Sequence, residues 1–147
     1  MFFVLEFTLF HFFLLFMVGF GYDIHRLAEG ESLILGGVEI PSSFGTVAHS
    51  DGDVLLHALC DALLGAAGLG DIGEHFPDTD AQYRGISSIE LLKRVMTLLG
   101  NEGYVLINID CTLVLERPKI LPYKAAMRER IAEACGLPLK RVSLKAT

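Results

Sequence analysis

Three side chains that commonly bind metal ions stand on otherwise apolar stretches of this sequence. Asp23 and His25 lie two apart in GYDIH, and His57 lies within HSDGDVLLHALCDALLG, residues 49–65. Residues two apart on an extended segment point the same way, so Asp23 and His25 can bind one ion together. With His57 they supply two imidazoles and one carboxylate, the donor set of a catalytic zinc site that keeps an open coordination position. The sequence therefore predicts one metal site built from these three residues.

Each of these residues also has a simpler interpretation. A single histidine on a helix is usually a hydrogen-bonded structural residue, and Asp23 could be a turn residue. Asp53 and Asp61 stand four residues to either side of His57 and could form a solvated face; in the metal interpretation, one of them accepts the free ring N–H of His57. Several ligand-type residues together on apolar segments favour the metal site. A non-haem iron enzyme is an alternative, because two histidines and a carboxylate also form its facial triad.

Two further polar clusters could meet a ligand. His49 and Ser50 precede the predicted helix, where free backbone N–H groups and the helix dipole favour an anion, although Ser50 could simply cap the helix. Asp71, Asp78 and Asp80 lie on a Gly- and Pro-containing loop, which is either a solvated connection or a segment that binds sugar hydroxyls or closes over a ligand. The sequence contains no GxxxxGK[ST] motif, which excludes a P-loop nucleotide site.

The composition is that of one globular domain. The 147 residues are 52% hydrophobic and 20% charged, enough to bury a core. The net charge of −6, without a cluster of Lys and Arg, argues against a nucleic-acid partner. An anionic substrate would therefore be neutralised locally, by metal ions or backbone amides. Cys60, Cys111 and Cys135 are odd in number and far apart, which is typical of reduced thiols in a cytoplasmic protein.

The first twenty residues differ from the rest of the chain. They hold eight of the ten phenylalanines, and no Lys or Arg precedes Arg26. The basic start and small-residue cleavage site of a secretory signal are missing. A membrane span needs about 20 apolar residues, and Glu6 and His11 interrupt this segment, so membrane association is not expected. We interpret residues 1–16 as an apolar extension before a domain that starts at Met17; alternatively, the segment tethers a non-catalytic module to a membrane or a partner.

The patterns in the first two thirds of the chain predict strands followed by two helices. VGFGYDIH, residues 18–25, is interpreted as a first strand, and LILGGVEIP, residues 33–41, as a hairpin around Gly36–Gly37. A helix is predicted over residues 51–67, with Ser50 or Asp51 as its N-cap. After a polar loop, a capping box of Ser87 and Glu90 opens a second helix that stops at Gly100. Its predicted buried stripe is Ile89, Leu92, Val95, Met96 and Leu99.

The remaining third predicts a strand, a helix and a final strand. YVLINIDCTLVLE, residues 104–116, alternates between apolar and polar side chains, with Ile107, Ile109, Cys111, Leu113 and Leu115 on the buried face. A helix follows and ends at Cys135 with Gly136 after it, and LKRVSLKAT begins another strand. The fold class predicted is α+β, a two-layer α/β sandwich with helices on one face of a mixed sheet. The other face is partly polar and has nothing in the chain to cover it, so an oligomer is expected.

The motifs together resemble the 2-C-methyl-D-erythritol 2,4-cyclodiphosphate synthases of the non-mevalonate isoprenoid pathway. GYDIHRL, ILGGVEIP, AHSDGDVLLHALCDALLGAAGLGDIGEHFPDTD, GYVLINID and ERPKILP follow in the family's order and spacing between Met17 and Thr147. The resemblance implies a phosphorus–oxygen lyase that forms a homotrimer with active sites between neighbouring subunits. It implies that 4-diphosphocytidyl-2-C-methyl-D-erythritol 2-phosphate is converted into the cyclic diphosphate with release of CMP. Such a ring closure needs positioning and charge neutralisation but no protein nucleophile.

The resemblance also implies roles for individual residues. Asp23, His25 and His57 would bind a zinc-type divalent ion, and His49 would support the transition state. The implied substrate contacts are Asp23, Ile24, His25, His49, Ser50, Asp71, Ile72, Gly73, Phe76, Pro77, Asp78, Thr79, Asp80, Leu115, Glu116, Arg117, Pro118, Lys119, Ile120, Leu121 and Thr147. Among them, residues 76–80 would form a substrate loop, and residues 115–121 a cytidine pocket contributed by a neighbouring subunit.

The sequence departs from the family's pattern at both ends. Residues 1–16 are not part of the family domain. Beyond the position of Thr147 the family has another Thr, a Glu that helps to hold a second divalent ion (magnesium or manganese), and a Gly-rich segment with an Arg. We therefore interpret residues 17–147 as the family domain, incomplete at its C-terminus, and expect weak activity or none. The expected location is cytoplasmic, or plastid in a plastid-bearing eukaryote.

Overall fold

The computed structural model describes residues 16–147, which form an α+β fold. The predicted apolar extension lies outside these residues except for Phe16. The strands are β1 (Leu27–Glu29), β2 (Leu33–Leu35), β3 (Val38–Ile40), β4 (Phe44–Thr46), β5 (Ile109–Leu113) and β6 (Val142–Ala146), and the helices are α1 (Val54–Ala67), α2 (Ile72–His75), α3 (Ser88–Asn101) and α4 (Lys124–Ala134). Short 3₁₀ turns occupy residues 81–83, 121–123 and 139–141. The predicted class is confirmed.

The strands pair in both directions. β1 pairs with β4 and β2 with β3 in antiparallel register, whereas β5 and β6 are parallel, with Ile109 opposite Val142. Within residues 16–147 these are three separate two-stranded pairs rather than the one mixed sheet that was predicted. The segment predicted as the first strand pairs with none of them, so it does not join them into one sheet.

Residues 18–25 run along helix α1. A Cβ atom added to Gly19 would lie 1.9 Å from the carbonyl oxygen of Ala62, and one added to Gly21 would lie 1.9 Å from that of Ala58. The alternate side chains point to the outside and are between 69% and 93% exposed: Val18, Phe20, Tyr22 and Ile24. The prediction of a paired strand here is therefore wrong, because the two glycines allow the backbone to pack directly on a helix.

The hairpin and the start of α1 show how glycines shape the site. Gly36 and Gly37 both have positive φ, 58° and 74°, as a two-residue type I′ turn requires, and the predicted hairpin is confirmed. Helix α1 begins after Asp53, whose side chain accepts the backbone N–H of Leu56. The predicted N-cap at residue 50 or 51 is wrong, because Gly52 takes φ of +71° and interrupts the helical backbone before Asp53.

Helix α3 begins as predicted, with the Ser87 side chain accepting the N–H of Ile89. The capping box is only half formed, since the Glu90 carboxylate accepts from Lys93 at 2.7 Å. The helix passes the predicted stop at Gly100 and ends at Asn101, because Gly103, with φ of +79°, is the residue that takes the left-handed conformation. Of the predicted stripe, Leu92, Val95 and Leu99 are buried, whereas Ile89 and Met96 are half-buried and Leu91 is buried instead.

The last third follows the predicted order. In β5, Ile109 and Leu113 are buried and Asp110 and Thr112 exposed, as the alternation predicts. The strand is shorter than residues 104–116, and Ile107 is 45% exposed rather than buried. β6 is five residues long and pairs only with residues 109–113, so residues 104–108 have no strand partner within the described part of the chain. The predicted end of the following helix is confirmed: Cys135 caps α4 and Gly136 has positive φ.

The core holds the starts of α1 and α3 side by side. Leu56 and Leu64 of α1 and Leu92 and Val95 of α3 are fully buried in one cluster. The loop before α1 is tied to the loop before α3, because Asp51 N–H donates to the Ile86 carbonyl at 3.1 Å and Gly85 N–H to that of His49 at 2.9 Å. No helix in residues 16–147 has the length and apolar character needed to cross a bilayer.

Candidate metal centre and substrate site

The three predicted metal ligands come together in the structure. Asp23 Oδ2 lies 3.1 Å from His25 Nδ1 and 3.2 Å from His57 Nδ1. One ligand atom from each residue lies within 4.8 Å of the others, and the two imidazole rings are 5.1 Å apart between centroids. All three side chains are half-buried. The metal centre, defined as Asp23, His25 and His57, is thus present as a cluster.

Two elements position this cluster. Asp23 and His25 project from the side of the extended segment that faces α1, opposite to the exposed Tyr22 and Ile24. Asp23 Oδ1 accepts the backbone N–H of Ile24 at 2.8 Å, which leaves Oδ2 for the imidazoles. His57 comes from the first turn of α1, where its backbone N–H donates to the Asp53 carbonyl at 3.0 Å. The close packing of the segment on the helix therefore brings the ligands within reach of each other.

The surroundings of Asp23 and His25 fit a cation. Partial burial raises the pKa of Asp23, but its contacts with the imidazoles of His57 and His25 outweigh this effect, so the pKa of Asp23 lies below its ordinary value. His25 Nδ1 is buried and lies 3.1 Å from Asp23 Oδ2, but the angle is unsuitable and it makes no hydrogen bond among residues 16–147. An orphaned imidazole nitrogen beside an ionised carboxylate and a second imidazole is a suitable donor set for a zinc-type divalent ion.

The prediction that Asp53 or Asp61 accepts the ring N–H of His57 is wrong. Asp53 is fully buried and its carboxylate accepts the N–H groups of Gly36 at 3.0 Å and Gly37 at 2.6 Å, in the hairpin turn. Asp61 accepts the N–H of Ile72 at 2.8 Å, at the start of α2. Both carboxylates stand one helical turn from His57, but each turns to a backbone donor on a neighbouring element. They hold α1 in place rather than His57.

The second nitrogen of His57 meets two serines instead. Nε2 lies 2.9 Å from Ser88 Oγ and 3.1 Å from Ser50 Oγ. Ser88 is fully buried; it donates its backbone N–H to Asp51 at 2.8 Å and its hydroxyl to the same carboxylate. Sequence reasoning missed Ser88 and the role of Asp51, since Ser88 stands 31 positions from His57 in a stretch that shows only helix-capping chemistry. Two adjacent serines before an apolar helix were the only signal.

The described part of the chain is similar to proteins of one known family. Residues 16–147 match the YgbB family. A protein of Symbiobacterium thermophilum named 2-C-methyl-D-erythritol 2,4-cyclodiphosphate synthase is 62% identical over 131 residues, which are 89% of this chain and 83% of that protein. The chain belongs to the YgbB family.

Solved structures agree with the assignment to the YgbB family. One 2C-methyl-D-erythritol-2,4-cyclodiphosphate synthase in a form bound to CDP has a TM-score of 0.83 at 46% identity, over 88% of this chain and 86% of that chain. An IspF of Plasmodium falciparum in a CDP complex has a TM-score of 0.75 at 30% identity, over 89% of this chain and 80% of that chain. The resemblance carried by the sequence motifs is confirmed.

Ser50 borders the metal centre of this YgbB-family chain, and His49 precedes it in the sequence. His49 is exposed and its backbone is held by Gly85. Ser50 is half-buried, and its hydroxyl also accepts the N–H of Gly52 at 3.2 Å. Neither residue stands directly at the first turn of α1, as was predicted, because Asp53 is the N-cap. Ser50 lies beside the metal centre because its hydroxyl contacts His57 Nε2 at 3.1 Å.

Short helical turns flank the predicted substrate loop, residues 76–80, which is itself not helical. Asp71 caps α2 by accepting the N–H of Glu74 at 2.9 Å, and Asp80 accepts that of Gln82 at 3.0 Å before a 3₁₀ turn. These capping carboxylates explain why the polar stretch forms helical turns rather than the simple loop that was predicted. Ile72 is half-buried within α2 and Gly73 exposed. The remaining positions divide into half-buried Phe76, Pro77 and Asp80 and exposed Asp78 and Thr79.

Five of the seven residues predicted to bind cytidine, residues 115–121, line one cavity, here called the ERPKIL cavity. This cavity, of about 240 Å³, is lined by Leu115, Pro118, Lys119, Ile120, Leu121, Lys124, Ala146 and Thr147. Glu116 and Arg117 are exposed and pair with each other at 3.6 Å. Thr147 is tied to β5, since its N–H donates to the Leu113 carbonyl at 3.0 Å. The structure thus brings Thr147 together with the ERPKIL segment, while Lys124 and Ala146 are lining residues that the sequence reasoning missed.

Proposed function

We propose that this chain is a 2-C-methyl-D-erythritol 2,4-cyclodiphosphate synthase. The observation that carries this function is the metal centre, found in a chain 62% identical to a protein of that name. The substrate is 4-diphosphocytidyl-2-C-methyl-D-erythritol 2-phosphate. An oxygen of its 2-phosphate forms a bond to the β-phosphorus, the bond from that phosphorus to the bridging oxygen breaks, and CMP leaves with this oxygen. The step belongs to isoprenoid precursor synthesis.

The reaction asks the protein for positioning and charge neutralisation. Both phosphates belong to one molecule, so the protein needs only to hold them in line for the reaction, and no protein nucleophile is required. The net charge of −6 gives no general attraction for a polyanion, so the charge has to be met at the site. Ser50, which contacts His57, and the exposed His49 that precedes it are the side chains we assign to the phosphates, with His49 supporting the transition state.

The metal centre would hold a zinc-type divalent ion through Asp23, His25 and His57. A bound ion supplies Lewis-acid stabilisation and a template for the phosphate oxygens. Asp23 is ionised at neutral pH, and its lowered pKa means that protons compete less well with a cation for its carboxylate. Half-burial of all three ligands limits competition from water. Two imidazole nitrogens and one carboxylate oxygen favour zinc over magnesium and calcium, which prefer oxygen ligands.

The ERPKIL cavity is the proposed site of the cytidine nucleotide. Its lining combines apolar side chains with two ammonium groups, those of Lys119 and Lys124. Apolar walls suit a pyrimidine ring, and the two cations suit its attached phosphates. The relatives solved with CDP support a cytidine nucleotide as the occupant. Residues 71–73 and 76–80 are assigned to the rest of the substrate.

We also propose a homotrimer, in which neighbouring subunits complete each active site. The outward row of Val18, Phe20, Tyr22 and Ile24 leaves apolar side chains that a second copy would cover, 69–93% exposed in the single chain. This row is continuous with Asp23 and His25, so a neighbour that covers it would lie beside the metal centre. Sedimentation at micromolar concentration should give three chains per particle; a stable monomer that retains full activity would refute the trimer.

A paired carboxylate-to-amide comparison tests the function. CMP release from the substrate is measured with added Zn²⁺ and Mg²⁺ for the wild type, Asp23→Asn and Glu90→Gln. Glu90 is an exposed carboxylate of α3 that pairs with Lys93, so its variant should keep wild-type activity and metal content. Asp23→Asn should lose bound zinc and at least about a hundredfold in rate, the usual cost of one preorganised electrostatic group. Absence of CMP release by the wild type, or equal rates for both variants, would refute the proposal.

A further inference from the structure

The hydroxyl of Ser88 stands between a carboxylate and an imidazole. It donates to Asp51 Oδ1 while the Ser88 backbone N–H donates to Asp51 Oδ2 at 2.8 Å, so Asp51 accepts on both oxygens. A serine hydroxyl has one proton and two lone pairs. Because the proton is given to Asp51, Ser88 Oγ can only accept from His57 Nε2, which lies 2.9 Å away. Nε2 therefore carries the ring proton.

The direction of this hydrogen bond decides which nitrogen of His57 is free. In a neutral imidazole one nitrogen donates and the other accepts. With the proton on Nε2, the lone pair is on Nδ1, the atom that lies 3.2 Å from Asp23 Oδ2 in the metal centre. Two acceptors at that distance repel each other unless a cation lies between them. The hydrogen bond from Nε2 to Ser88 thus leaves the lone pair of Nδ1 free to bind a metal ion.

We propose that Ser88, oriented by Asp51, is a positioning residue that fixes His57 in the Nε2-protonated tautomer and presents Nδ1 to the metal ion. This inference rests on the metal centre of the proposed function. The carboxylate of Asp51 is itself fixed, since it accepts the first backbone N–H of α3, where the helix dipole favours a negative charge. The Asp51 backbone is held by Ile86, so the pair cannot turn away from His57.

Ser50 does not impose the same restraint. Its Oγ lies 3.1 Å from His57 Nε2 and accepts the N–H of Gly52 at 3.2 Å. No carboxylate claims its proton within residues 16–147, so this hydroxyl can donate to Nε2 or accept from it. Ser50 is also half-buried, whereas Ser88 is fully buried. The two serines therefore form a matched pair around one nitrogen, of which only Ser88 has a fixed direction.

Zinc affinity is the first test. Zn²⁺ binding to the full chain is measured by competition with a chromophoric chelator for the wild type, Ser88→Ala and Ser50→Ala. Ser88→Ala should bind zinc about tenfold to a hundredfold more weakly, the usual effect of removing a group that orients a ligating histidine, and Ser50→Ala should lose less. Wild-type affinity in a folded Ser88→Ala variant, or a larger loss in Ser50→Ala, would overturn the proposal.

Packing is separated from hydrogen bonding by Ser88→Thr and Ser88→Val, whose side chains have the same shape and differ in the hydroxyl. Ser88 is fully buried, so both variants crowd the site equally. The threonine variant should bind zinc more tightly than the valine variant by about tenfold. Equal affinities would show that Ser88 acts only through its volume, against the proposal.

The tautomer itself can be read without metal. Nitrogen-15 chemical shifts of His57 in the metal-free chain, at a pH where the ring is neutral, should show the proton on Nε2 in the wild type. In Asp51→Asn the amide can donate to Ser88 Oγ, which frees the hydroxyl proton for Nε2, so the Nδ1-protonated form should appear. A wild-type ring protonated on Nδ1 would overturn the inference. If the wild type binds no zinc, the metal centre fails, and this spectrum still decides the role of Ser88.

Discussion

Replacing Gly21 by alanine should disrupt the metal centre without touching a ligand. The added Cβ would lie 1.9 Å from the Ala58 carbonyl oxygen and 2.6 Å from the Ala62 backbone nitrogen, whereas real Cβ contacts stay above 3.0 Å. Both obstacles are helix backbone and cannot rotate aside. The segment must therefore move outwards by about 1 Å, several times the roughly 0.2 Å tolerance of a metal–ligand distance.

The expected result is a loss of zinc affinity of at least about tenfold, equivalent to about 1.4 kcal/mol, because Asp23 is two residues away and moves with the segment while His57 stays on α1. Zinc affinity is measured by chelator competition. Gly65→Ala is the matched control, a glycine on the same helix with nothing within 4 Å of an added Cβ. It should keep zinc affinity and raise the free energy of unfolding by about 0.5–1 kcal/mol.

Zinc affinity of Gly21→Ala equal to that of the wild type would refute the reasoning. It would mean that the segment does not owe its position to direct contact with α1. A loss of affinity in Gly65→Ala as large as that in Gly21→Ala would also refute it, since the effect would then follow from any change in the helix.

Three further predictions concern pH and stability. Burial raises the pKa of Asp53 from 3.8 to about 6, although the N–H groups of Gly37 and Gly36 act to lower it. The Asp53 carboxyl therefore binds its proton more tightly in the folded state than in the unfolded state. The protonated carboxyl contributes to stability below about pH 4, and this contribution is lost as the pH rises through about 6. The unfolding free energy of the metal-free wild type minus that of Asp53→Asn should fall by up to about 3 kcal/mol between pH 4 and 7 in denaturant titrations, and a constant difference would contradict this. Zinc affinity should fall as the pH is lowered, because protons compete with the metal ion for its ligand atoms; calorimetric titrations that give the same affinity at pH 5 and pH 7 would contradict the metal centre. Leu64→Ala, at a fully buried position of α1, should lower the unfolding free energy by about 2–5 kcal/mol, and a loss below about 1 kcal/mol would show that this part of the core is loosely packed.

Local sequence was sufficient for features that depend on near neighbours. The Gly36–Gly37 turn, the Ser87 cap and the alternation in β5 each follow from backbone geometry or side-chain period within a few residues, and each is confirmed. The choice of Asp23, His25 and His57 also came from the sequence, because ligand-type side chains on apolar segments have few other uses. The family motifs added the substrate and the reaction, which no periodicity contains.

The tertiary structure alone decided which distant groups meet. Asp53 bonds to a turn 16 and 17 residues away, and His57 to a serine 31 residues away. A carboxylate or a hydroxyl bonds to whichever buried donor or acceptor the packing brings near, and leaving such a group unpaired is costly. The same holds for residues 18–25, whose extended form the sequence predicts but whose partner is a helix, since only the assembled fold shows where Gly19 and Gly21 approach α1. The sequence thus determines the chemistry available at the site, while packing determines the partner of each group.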